Sequence, residues 1–580
     1  MLWLVLFALA PGLRAAEPPA SDSRNTRIPN TNTHFTMPEY KTLAQWEERK
    51  KQLRDQILFA AGLLPMPDHS AAPRAEIFGK VTQRDYTIEK VLVETRPGYY
   101  LGGNLYRPVG RTGKLPAVVS PHGHWVYGRL EHTPLGSIPA RCISLARQGY
   151  VVFAYDMVGY NDTIQTPHAF GGKPEQLWGF GPLGLQLWNS IRAVDFLASL
   201  PEVDAGRIGA TGASGGGTQT FLLQAVDERI RFSSPVNMIS AHMQGGSPCE
   251  NAPGLRVGAF NVEFAAMMAP RPMLMVSATG DWTKNTLEEE FPAVRRIYEL
   301  YDKAAFVEAV RIQAEHNYNK ESREAVYRFF ARHALNDEDA SRYKEQAIRV
   351  EKLADMLALH NRTLPAGALD YDGLFAQWRG IVERQMAGAG KAEKRRLLGL
   401  ALGTEWPAHV DGFVSGEKVV LTRPAVGDRV PGVWVAGEGT PALVVHPDGA
   451  QAGRVSAEGR ALLAARRPVL FIDAFQTGEA RAPRDRSHAH FLTFNRSDDA
   501  LRVQDILTAL RWLELKGAAR LEVHGVAKAA VWARFAAAVA GPTVSARGDT
   551  SWFRGTDREF IETLFVPGIQ RAGGWAAAQE

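Results

Sequence analysis

Ser214 stands at the centre of Gly212-Ala213-Ser214-Gly215-Gly216, a G-x-S-x-G pattern, and Asp281 and His316 follow it in TGDWTKNT and AEHNYN. A serine hydroxyl attacks a carbonyl only when a base takes its proton. Imidazole suits that task because its pKa lies near the working pH, and a carboxylate holds its tautomer. Residues 207–210, RIGA, have the character of a short buried strand, and Thr218 to Val226 that of a helix turning Phe221, Leu222 and Ala225 inward. Between them Gly212 and Gly216 clear a sharp turn, and the Gly215 amide at the helix N-terminus favours an oxyanion. The plain alternatives are a turn aspartate at 281 and a hydrogen-bonded structural histidine at 316.

A second oxyanion donor is expected from the backbone amide of His124 in PHGHW (121–125), beside that of Gly215. Two histidines so close could instead ligate a metal. With no further histidine or carboxylate at ligand spacing, neither a metal nor any other cofactor is expected. His168 and His242 read as surface or loop-packing residues. Trp125, Tyr160, Trp178 and Trp282 fall on loops that would ring the site, as aromatic platforms for a sugar or as packing under a lid.

The surrounding chain must place these residues at one edge. From Leu115 onward, buried strands alternate with amphipathic helices, which predicts a parallel α/β sheet preceded by three antiparallel strands over 75–107. Ser214, Asp281 and His316 each fall just past a predicted strand, where open sheets of this type carry their chemistry. The order Ser, Asp, His is that of the α/β-hydrolase fold. Residues 37–335 resemble the acetyl xylan esterase and dienelactone-hydrolase-like branch of that superfamily. The pieces that carry the resemblance are GGNLYRP, PHGHW, YDMVGYNDT, RAVDFLASLPEVDAGRIGATGASGGGTQT, APRPMLMVSATGDWT and EHNYNKESREAVYRFF. It implies a metal-free serine esterase with Ser214, Asp281 and His316 as triad, removing acetyl or similar small acyl groups from a carbohydrate. Gly215 stands where that branch often has Gln.

At 580 residues the chain has room for two or three domains. A net charge of +5 without a long basic run argues for a mixed-charge surface and against nucleic-acid binding. The nine apolar residues Leu2 to Ala10 match a signal-peptide core and fall short of a membrane span, so residues 1–16 are expected to direct export. Residues 17–36 read as a linker. The two cysteines, Cys142 and Cys249, are expected to be unpaired and buried, with one bridge as the alternative.

Residues 336–410 read as a helical connector, and 411–580 as a degenerate second copy of the first fold. TPALVVHPDG parallels LPAVVSPHG, and Asp473 falls in the place of Asp156. Ser214 lies seven positions after Arg207, and Ala527 seven after Arg520. Alanine cannot attack a carbonyl, so the second copy is expected to be inert. The resulting expectation is an exported serine carboxylesterase acting on a glycan ester, with no nucleic-acid partner and no stable membrane insertion. The alternatives are a prolyl-oligopeptidase-type peptidase and a glycan-binding protein that has inherited a hydrolase fold.

Overall fold

The computed structural model describes residues 17–580, so the expected signal peptide lies outside the described residues. Two sheets organise the chain. The first runs β1 (Arg74–Thr82), β2 (Tyr86–Arg96), β3 (Tyr99–Pro108), β4 (Leu115–Val119), β5 (Val151–Tyr155), β6 (Val203–Ala213), β7 (Ile230–Val236), β8 (Met273–Gly280) and β9 (Val307–Glu315). Their spatial order is β1-β2-β3-β5-β4-β6-β7-β8-β9. The first three strands form an antiparallel meander joined antiparallel to β5, and every later pairing is parallel. Strand β5, VVFAY, is buried at every residue, as a strand covered on both faces must be. The helix Ile138–Gln148 stops at Gly149, whose φ of 107° only glycine adopts without strain.

The second sheet comprises β10 (Asp411–Ser415), β11 (Lys418–Thr422), β12 (Val430–Val435), β13 (Ala442–Val445), β14 (Val469–Ile472), β15 (Leu521–Gly525) and β16 (Val544–Arg547). Its order, β10-β11-β12-β14-β13-β15-β16, repeats the first seven positions of the first sheet. The pairing senses match as well, antiparallel for β12 with β14 and parallel from there on. Among the described residues nothing in this sheet corresponds to β8 and β9. The degenerate second α/β-hydrolase-like unit expected from sequence is therefore present, truncated after the strand that follows its elbow.

The connector is helical only in part. Residues 343–352 are irregular, one turn forms at Leu353–Met356, and true helices appear at Tyr371–Gly388 and Lys391–Leu402. The periodicity of 341–360 suggested a helix, but tertiary partners claim its backbone. The Met356 carbonyl accepts from Asn104 Nδ2 at 2.9 Å, and the Ala358 and Leu359 amides donate to Asp162 at 2.8 Å. The segment read as a linker is also fastened: Ser23 N–H donates to the Gly427 carbonyl at 3.0 Å and Arg24 pairs with the buried Asp505 at 2.5 Å. One apolar core runs through both halves, from Trp46 and Leu53 to Trp532 and Phe560.

Candidate active site

Ser214 is the single residue between β6 and the helix Gly215–Val226, and its backbone adopts φ 57°, ψ −126°. A non-glycine residue held there costs on the order of 1–3 kcal/mol, so the surroundings must impose it. They do so through the Ser214 N–H, which donates to the Val236 carbonyl at 3.1 Å, and the Ser214 carbonyl, which accepts from Thr218 N–H at 3.0 Å. Gly212 is required by close approach, since a Cβ there would lie 2.6 Å from the Gly216 and Pro121 carbonyl oxygens. Because helical bonding begins with Thr218, the Gly215 amide has no helical acceptor. Among the described residues, neither it nor the His124 amide donates to another protein group.

Asp281 directly follows β8 and His316 directly follows β9, two strands that pair in parallel. Their side chains meet, with His316 Nδ1 2.8 Å from Asp281 Oδ2. The other carboxylate oxygen accepts from the Thr283 amide at 2.7 Å and its hydroxyl at 2.5 Å, so Asp281 is held rigidly and only 2% exposed. An ionised carboxylate only accepts, which puts the imidazole proton on Nδ1 and leaves a lone pair on Nε2. Nε2 is buried and, among the described residues, makes no hydrogen bond with Ser214 or any other group. That is the loose arrangement typical of a general base before substrate arrives. Trp282 stacks on the imidazole with centroids 4.5 Å apart.

His122 plays a different part. Burial pushes its pKa down to about 3. The neutral ring donates from Nδ1 to the Gly123 carbonyl at 2.7 Å and accepts the Met157 N–H on Nε2 at 2.9 Å. Both nitrogens are thus spent bracing the 121–124 loop against the end of β5.

Of the aromatic candidates, Trp282 lies on His316 and Trp125 lies near the elbow, its Nε1 3.5 Å from where a Gly123 Cβ would stand. Tyr160 sits edge-on between His122 and His168, 5.1 Å from each. Trp178 is not brought to the site. It is buried, and its indole N–H donates to both Asp557 carboxylate oxygens at 3.0 Å, fastening the second half to the first.

Two residues near the site were missed from sequence. His168 Nε2 and Cys249 Sγ lie 3.2 and 3.1 Å from His124 Nε2. They are 44 and 125 positions along the chain from His124, so spacing carried no signal. Both cysteines are unpaired and buried, as expected. A cleft of about 620 Å³ opens between the two halves, lined by Phe170, Phe180 and Pro248 from one and by His490, Phe491 and Pro567 from the other. Ser214, Asp281 and His316 do not line it. His490 Nε2 approaches the Gly246 carbonyl at 3.2 Å, so the second half touches the loop that carries Cys249.

No protein-family model matches the chain. A methylesterase of known structure, BT1017, is 31% identical and superposes with a TM-score of 0.50 over 60% of this chain and 78% of its own. The chain belongs to that methylesterase's family of α/β-hydrolases. The putative hydrolase YtaP of Bacillus subtilis is 27% identical to this α/β-hydrolase over 164 residues, 26% of the chain and 53% of YtaP. The uncharacterized protein PA2218 of Pseudomonas aeruginosa is 30% identical over 148 residues, 24% of the chain and 34% of PA2218. The chain thus spans about half or less of the length of these two curated relatives.

Proposed function

We propose that this α/β-hydrolase is a serine carboxylesterase that removes a small group from a carbohydrate ester through an acyl-enzyme. The observation that carries the reading is the oriented pair His316–Asp281 at 2.8 Å, at the same sheet edge as a serine held at φ 57°. Ser214 Oγ attacks the ester carbonyl while His316 Nε2 takes its proton. The amides of Gly215 and His124 receive the oxyanion. His316 then protonates the departing alcohol, and water, deprotonated by the same nitrogen, releases the acid.

Similarity to a methylesterase supports methyl esters, and the sequence resemblance supports acetyl esters; the same machinery serves both. The strands β1 to β3 continue the main sheet, an arrangement that supports the esterase reading more than the prolyl-oligopeptidase alternative. Export by residues 1–16 belongs to the same proposal. No helix among the described residues is long and apolar enough to cross a membrane.

The test is a panel of acetylated glycans and uronate methyl esters read by mass spectrometry, with Ser214→Ala as control. Loss of turnover in the variant with its fold intact is expected, together with phosphonate labelling of wild type at Ser214. Wild-type turnover in Ser214→Ala would overturn the proposal.

A further inference from the structure

His124, His168 and Cys249 come from three separate loops and bring three potential ligand atoms within 4.8 Å of one another. Nitrogen and sulfur donors in this combination suit a borderline-soft divalent ion, and two histidines with one cysteine form a three-ligand set that leaves a fourth position open. The 3.2 Å between the two Nε2 atoms is close to the edge of a tetrahedron built on metal–nitrogen bonds of about 2.0–2.1 Å.

The surroundings fit a ligand role. His168 Nδ1 donates to the Val158 carbonyl at 2.7 Å, which fixes the proton there and leaves Nε2 with its lone pair facing the other two donors. This is the outer hydrogen bond that metal-bound histidines commonly make. Gln186 is buried, with no hydrogen bond to its side-chain amide among the described residues, and it lies on the helix Pro182–Ser199 that packs against the turn Pro248–Glu250 carrying Cys249. His122, the neighbour that the sequence pairs with His124, is excluded because both its nitrogens are engaged.

We propose that His124, His168 and Cys249 bind one zinc-like divalent ion through Nε2, Nε2 and Sγ. Binding replaces the thiol proton, which passes to solvent, so that the thiolate is the ligand. The site adjoins the oxyanion region, because a Cβ on Gly215 would lie 2.6 Å from His124 Cε1. The proposal stands apart from the esterase reading, since it needs no turnover.

The experiment uses the full chain, stripped with chelator and titrated with Co²⁺ and then Zn²⁺. One equivalent of Co²⁺ should produce the near-ultraviolet band of a cobalt–thiolate bond and the visible bands of a four-coordinate ion, and Zn²⁺ should displace it. Cys249→Ser should abolish the near-ultraviolet band. His168→Ala should weaken Zn²⁺ binding at least tenfold, with thermal melting confirming that both variants remain folded. Ser214→Ala should bind the ion as wild type does, separating this outcome from that of the esterase test. Absence of saturable binding in wild type, or an unchanged charge-transfer band in Cys249→Ser, would overturn the site.

Discussion

Ser214 and Ala527 both have a positive φ, 57° and 50°, at equivalent places in two sheets that share the same order over seven strands. The second elbow has kept its strained turn and lost its hydroxyl. Among the described residues its sheet also lacks the two strands that, in the first, deliver Asp281 and His316.

Restoring the hydroxyl should therefore not restore chemistry. Ala527→Ser in a Ser214→Ala background is expected to show no ester turnover above the single variant, and no phosphonate adduct at 527. A burst of product in stopped flow would contradict this.

Asp281→Asn should lower kcat by a factor on the order of 10⁴. The amide presents a donor as well as an acceptor to His316 Nδ1, so the ring is no longer held with its proton there. KM should change little, and comparing the two constants on one small ester checks the assignment.

His122 couples the site loop to pH. Its folded pKa of about 3 lies below the ordinary histidine value of 6.5, so the unfolded chain binds the proton first as pH falls. This contribution is fully present above pH 6.5 and is lost progressively between 6.5 and 3, at about 1.4 kcal/mol per pH unit. His122→Gln should be less stable at pH 8 yet lose less stability over that window, as read by urea unfolding at stepped pH.

Trp178 and Asp557 join the halves by a charge-assisted hydrogen bond at 3.0 Å. Asp557→Ala should cost about 1.5–3 kcal/mol of stability, seen as a lower midpoint in chemical denaturation. The esterase kcat should be unaffected, because the contacts of Trp178 are with Asp557, Trp378 and Arg379 rather than with Ser214, Asp281 or His316.

The elbow turn, the Ser, Asp, His order past the strand ends and the alternation of strands and helices were legible in sequence because each is local. Period, glycine placement and the residue after a strand's end are properties of short stretches. The irregular run at 343–352 was not legible: its pattern is helical, but polar groups at Asn104 and Asp162 compete successfully for the neighbouring backbone. Trp178 was misplaced for a similar reason, since an indole on a loop carries no mark of which carboxylate it will meet.

By itself the sequence determined the fold class, the repeated elbow and which of its two copies keeps a serine. Only the tertiary structure decided that Asp281 grips His316 Nδ1, that the second sheet stops before the strands that would complete a triad, and that His168 and Cys249 converge on His124. The physical reason is distance along the chain. Local pattern specifies strands and turns, whereas contacts between remote loops exist only once the sheet has set the loops side by side.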